Sequence, residues 1–116
     1  MAQYLIALHH PDDDDPFAVV DEAMQRAIEV LNEEMVAAGV RVFVGCLRPA
    51  STATSLQVNR AGEVVASDGP YLQMGEHMGG FWVLEAASPD EALAWGRKAA
   101  AACRAPVEVR PFFEME

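Results

Sequence analysis

From Gln3 to His9 apolar residues fall on both parities, with Tyr4, Ile6 and Leu8 on one side and Leu5 and Ala7 on the other. A strand that is apolar on both faces belongs inside a sheet. His9 to Asp15 then reads as a polar loop, and Asp15-Pro16 as a helix N-cap followed by proline at the first helical position. Phe17, Val20, Met24, Ala27, Leu31 and Met35 recur at spacings of three and four, which predicts a helix to about Ala38, closed by Gly39. Asp21, Glu22, Arg26, Glu29 and Glu33 form its solvated face.

The second half repeats this logic. Val40 to Leu47 is a β-branched and aromatic run, ended by Arg48-Pro49-Ala50-Ser51. Thr54 to Asn59 and Glu63 to Ser67 are short strands joined by Arg60-Ala61-Gly62. After a loop from Asp68 to Gly80 comes the strand Phe81 to Ala86. Ser88-Pro89-Asp90-Glu91 is a capping box that opens a helix containing Ala92, Leu93, Trp95, Ala99 and Cys103. Arg97, Lys98 and Arg104 lie toward its C-terminal end, where positive charge suits the helix dipole. Val107 to Phe112 is the last strand. This order predicts an α+β fold of ferredoxin-like type, β-α-β, hairpin, β-α-β, with an antiparallel sheet in one domain over 1–116. Two helices cover only one sheet face, whereas Leu5, Ala7, Phe43, Leu47, Trp82 and Leu84 are too many apolar groups for that face alone. A homodimer formed through the sheets is the simplest cover.

Charge narrows the partners. Eighteen acidic residues against eight basic ones give a net charge of −10 over 116 residues. Such a surface repels nucleic acid and anionic membranes. No apolar run approaches the roughly 20 residues needed to cross a bilayer, and the start lacks a basic leader, so a cytoplasmic location is expected. Cys46 and Cys103 sit among apolar neighbours and read as buried, reduced thiols.

Candidate chemistry centres on the rigid turn Ser67-Asp68-Gly69-Pro70-Tyr71. Its proline and glycine hold Asp68 in a fixed direction, either as a general base or as a turn residue accepting backbone N–H groups. His9 ends the first strand, from where it can approach the Asp68 loop and form a His–Asp pair. His9, His10 and Asp12 to Asp15 are crowded onto one loop, which suits a solvated cap better than a metal site, so no metal is expected. Gly79-Gly80 precedes a strand and reads as a bulge or close backbone approach. Tyr71, His77, Arg48 and Arg110 are candidate substrate-binding groups, the arginines suiting an acidic or phenolic compound. No phosphate loop or dinucleotide fingerprint is present, and no cofactor is expected.

Four segments in this order carry a family resemblance: the Ser67–Tyr71 turn, Gly79-Gly80 before an aromatic strand, Asp90-Glu91-Ala92-Leu93-Ala94-Trp95, and Val107-Glu108-Val109-Arg110-Pro111. Together they resemble the YCII-related proteins, in particular the subgroup named for an Asp-Gly-Pro-Phe motif. The resemblance implies a dimeric α+β barrel. For function it implies either a small enzyme, as in a dehydrochlorinase of chlorinated hydroxyquinol with a proposed His–Asp centre, or a role linked to transcription through neighbouring sigma-factor genes. This chain departs from the subgroup by Tyr71 in place of phenylalanine, by Gln73 and Gly75 where relatives carry glutamate and lysine, and by a first helix without histidine. The first expectation is a homodimer with a small-molecule cleft and cofactor-free acid–base chemistry of lyase or hydrolase type. The second is a non-catalytic regulatory or interaction protein of the same fold. A cofactor-independent monooxygenase is a third.

Overall fold

The computed structural model describes residues 2–11 and 21–114. Its elements run β1 (Ala2–Pro11), α1 (Glu22–Ala37), β2 (Arg41–Cys46), β3 (Thr54–Val58), β4 (Val64–Asp68), β5 (Glu76–Ala86), α2 (Pro89–Cys103) and β6 (Val107–Pro111), with a turn of 3-10 helix at Ala50–Thr52. The result is a small α+β structure. Four strands form an antiparallel sheet in the order β2-β5-β1-β6, and β3 and β4 pair separately as a two-stranded ribbon. β1 is thus an inner strand, as its two apolar faces predict.

Register decides which side chains meet the helices. Tyr4 pairs with Leu84, Ile6 with Trp82 and Leu8 with Gly80. Ile6, Leu8, Trp82 and Leu84 join Leu31 and Met35 of α1 and Ala99, Ala102 and Cys103 of α2 in one core. Ile6, Met35 and Leu84 are fully buried, and each such side chain contributes roughly 1.5–3 kcal/mol. The other parity, Leu5 with Val83 and Ala7 with Phe81, faces away from the helices. Phe43 of β2 stacks on Phe81 there at 5.6 Å between centroids. Trp82 and Leu84 therefore belong to the helix side, and Phe81 and Val83 take the places on the open face that sequence alone assigned to them.

Both helices are set by local chemistry. Asp21 caps α1 by accepting from the Met24 N–H at 2.8 Å. The cap expected at Asp15-Pro16, with Phe17 and Val20, lies outside the described residues. Ser88 caps α2, accepting from the Glu91 N–H at 3.2 Å, while the Glu91 carboxylate accepts from the Ala87 N–H at 2.9 Å. Gly39 closes α1 with φ +71°. Strand β5 begins at Glu76, five residues before the apolar run, because Glu76, His77 and Met78 extend the ladder opposite Pro11, His10 and His9. Polar residues there carry no alternating signal. Cys103 is buried as expected, but Cys46 is exposed, since β2 is an edge strand with no neighbour beyond it.

Gly96 lets α2 lie close on β6: a Cβ there would stand 2.5 Å from Val109 Cγ2. Replacing Gly96 with alanine is expected to destabilise the fold by about 1–3 kcal/mol through overpacking. Urea unfolding should show a lower midpoint with an unchanged slope.

Candidate functional site

The C-terminal end of β1, the first turns of α1, the end of β2, the start of β5 and the α2–β6 connection line a half-open cavity of about 770 Å³. That is within the size range of small-molecule sites. Leu8, Met24, Ile28, Val44 and Trp82 give it an apolar lining, and His10, Asn32, Cys46, Cys103, Arg104, Glu29 and Glu76 add polar or ionisable groups. Small residues, Gly79 and Gly80 on β5, replace the bulky ones farther along the strand.

A β-bulge shapes the floor. Leu8 pairs with Gly80 but His9 with Met78, so Gly79 is the extra residue. A side chain at Gly79 would overlap the His10 imidazole, which rests directly on that bare backbone. Gly79-Gly80 is thus both the bulge and the close approach that the sequence suggests.

The walls are held by specific bonds. Trp82 donates its indole N–H to Asn32 Oδ1 at 3.0 Å, and Asn32 donates its amide to the Ile28 carbonyl at 3.0 Å. At the rim, Arg104 Nη1 meets Asp21 Oδ2 at 2.9 Å. That pair ties the start of α1 to the end of α2, where Arg104 takes a left-handed φ of 52°. The Met24 N–H, then the Arg104 guanidinium, hold the Asp21 carboxyl below its ordinary 3.8. Burial, with nearby Cys46 adding to it, pushes the Cys103 thiol up to about 11.

The residues singled out from sequence are not all gathered here. His9 borders the cavity, but its Nε2 is buried without a hydrogen-bond partner among the described residues. Glu108 Oε2 stands 3.7 Å away, an ionic contact only when the ring is protonated and too long for a hydrogen bond. Thus a His–carboxylate pair is present, with Glu108 in the place where Asp68 was expected. Asp68 ends the ribbon strand β4 opposite Thr54, is exposed, and makes no side-chain hydrogen bond or ion pair among the described residues. The turn is fixed by neighbouring backbone instead: the Gly69 N–H donates to Ala53 at 2.7 Å and Ser55 Oγ to the Gly69 carbonyl at 2.7 Å. Tyr71 is exposed. His77 Nε2 lies 2.7 Å from the Leu72 carbonyl. Arg48 and Arg110 are exposed on β-structure margins away from the cavity lining. Among the described residues, no three His, Cys, Asp or Glu side chains are grouped to hold a metal; Asp12 to Asp15 lie outside them.

His10, Asn32, Trp82 and Arg104 were not assigned to one site from sequence. The glycine pair was the available signal, since a strand that omits side chains makes room for something else. Among the described residues, no helix is long and apolar enough to cross a membrane.

Comparison with known proteins gives a match of residues 3–116 to the YCII-related domain. An uncharacterized protein of Rhizobium meliloti (strain 1021) is 35% identical over 77 residues, covering 66% of this chain and 61% of the relative. The match thus spans less than two thirds of that relative's length.

Two outcomes follow from the rim chemistry. A thiol reagent at pH 8 should modify Cys46 readily and Cys103 only on unfolding, read by peptide mass. Because the folded pKa of Asp21 is depressed, its stabilising effect is present above the unfolded value and lost as pH falls through the folded one. The melting difference between wild type and Asp21→Ala, which loses the helix cap as well as the ion pair, should therefore be clear at pH 7 and narrow in strong acid.

Proposed function

Since the chain belongs to the YCII-related family, we propose that it is a homodimeric small-molecule-binding protein whose 770 Å³ cavity supports cofactor-free acid–base chemistry on a small, mainly apolar compound. The observation that carries this reading is the His10 imidazole, seated on Gly79 within an otherwise largely apolar recess. An imidazole is the side chain best suited to move protons near neutral pH. Asn32, held by Trp82 and Ile28, supplies a rigid polar wall. His9 shares the rim. Asp68, Tyr71, His77, Arg48 and Arg110 would serve a site only by approaching it from a second subunit.

Several features support the finer architectural reading. The strand order β2-β5-β1-β6 fits two interleaved βαβ units, as in a ferredoxin-like fold. Leu5, Phe43, Phe81 and Val83 make an apolar face that no helix of the described residues covers, which favours face-to-face pairing into a dimeric barrel. The absence of an orienting carboxylate on His10 among the described residues favours the second reading, a binding or regulatory protein without catalysis.

Heteronuclear NMR with small aromatic and aliphatic compounds tests the cavity. Bound compounds should shift resonances of Ile28, Val44 and Trp82 and leave those of Leu5 and Phe43 unmoved. His10→Ala should weaken binding about tenfold at most. If the protein is an enzyme, it should lower turnover by about 10²–10⁴. Shifts confined to the open sheet face would overturn the assignment, and tight binding with no His10-dependent turnover would select the regulatory reading.

A further inference from the structure

The β3–β4 ribbon is amphipathic, and nothing among the described residues covers its apolar side. Leu56 pairs with Ala66 and Val58 with Val64, which places all four on one face. Ser55, Gln57, Val65 and Ser67 occupy the other. Leu56, Val58 and Val64 are 66%, 70% and 65% exposed. The following segment adds exposed Tyr71, Leu72 and Met74. The two strands pack chiefly on each other and not on the helices or the four-stranded sheet.

Such a ribbon does not stand by its own chemistry. A two-stranded hairpin in water is marginal, and an uncovered apolar face on it is a liability. The molecule measures 50 × 42 × 17 Å with a radius of gyration of 16.3 Å, against about 13 Å for a compact domain near this length. The ribbon is therefore an arm reaching out from a flat body.

Three observations identify what the arm meets. The net charge of −10 opposes an anionic membrane or nucleic acid. The arm is inserted between β2 and β5, the strands that carry Phe43, Phe81 and Val83 on the open sheet face. A two-fold axis that joins two such faces would start each arm close to the other copy. The uncovered side chains amount to several hundred Å², comparable with the roughly 800 Å² each partner gives to a standard interface. We infer that the β3–β4 ribbon is a dimerisation arm that lays Leu56, Val58 and Val64 against a second copy of this chain. This inference rests on the homodimer reading and adds to it a second, separable contact. The roots of the arm, Cys46 and Glu76, also line the cavity, so docking the arm fixes part of the cavity wall.

Sedimentation equilibrium on four proteins tests it: wild type, the arm variant Leu56→Glu with Val58→Glu, the opposite-face control Gln57→Glu, and the sheet variant Phe43→Glu. All of these positions are exposed, and cooperative melting confirms folding. The arm variant should dimerise about tenfold or more weakly than wild type, with the control unchanged. Amide exchange over 54–68 should also slow as wild-type concentration rises. If the arm variant pairs like wild type while Phe43→Glu dissociates, the arm is overturned and the sheet interface stands. If only the arm variant dissociates, the arm stands and the sheet interface falls. A wild type that stays monomeric overturns both.

Discussion

The packing of α1 and α2 on one face of a four-stranded sheet is the constraint from which the other features of the fold follow. Ile6, Leu8, Trp82 and Leu84 meet Leu31, Met35, Ala99 and Ala102 there, away from water. Both helices are used up in that contact. The alternate residues of the same inner strands, Leu5, Phe81 and Val83, are apolar as well and have no helix over them among the described residues. Because side chains alternate strictly along a strand, each residue that serves the core leaves its neighbour on the opposite face. Water is a poor partner for that second face, and the proposed second subunit is a response to it.

The cavity is the same constraint seen at one end of the sheet. Where β5 carries Gly79 and Gly80 in place of tryptophan or leucine, His10 and the β2 backbone lie against the bare strand. The bulge sets Gly79 against the His10 imidazole and Gly80 against the β2 backbone. The Asp21–Arg104 pair holds the two helix ends at the rim. An exposed ion pair of this kind adds little to stability by itself, but it limits how far the helices separate at the mouth. Trp82 links core to cavity: its ring belongs to the core, and its indole N–H fixes Asn32 on the wall. A site whose polar groups are fixed from behind by packed residues loses little order when a compound enters.

Most of the element order was legible in the chain. The capping box at Ser88 and Glu91, the glycine at 39 and the apolar spacing of Met24, Leu31 and Met35 are local signals, and the structure places the start of α2, the close of α1 and the buried stripe accordingly, whereas α1 begins at Glu22 under Asp21, a residue the periodicity put inside the helix. The assignment of Trp82 and Leu84 to a face was not legible, because a run such as Phe81-Trp82-Val83-Leu84 is apolar at both parities. Only pairing with β1 breaks that tie. The start of β5 at Glu76 was hidden for a related reason: Glu76, His77 and Met78 join the ladder through their backbone, which the side-chain pattern does not report.

The candidate site divides along the same line. By sequence alone this protein was determined to be an acidic α+β chain with two helices, a β-hairpin, a rigid Asp68 turn and a side-chain-free position at Gly79-Gly80, because turns, caps and periodicity act over a few residues. Tertiary structure decided that His9 stands beside Glu108, that Asp68 lies on the ribbon, and that His10, Asn32 and Arg104 come from three separate elements to one cavity. Those outcomes depend on strand order and on one extra residue in β5, and both arise from contacts between segments about 20 to 100 residues apart, beyond the reach of any local pattern.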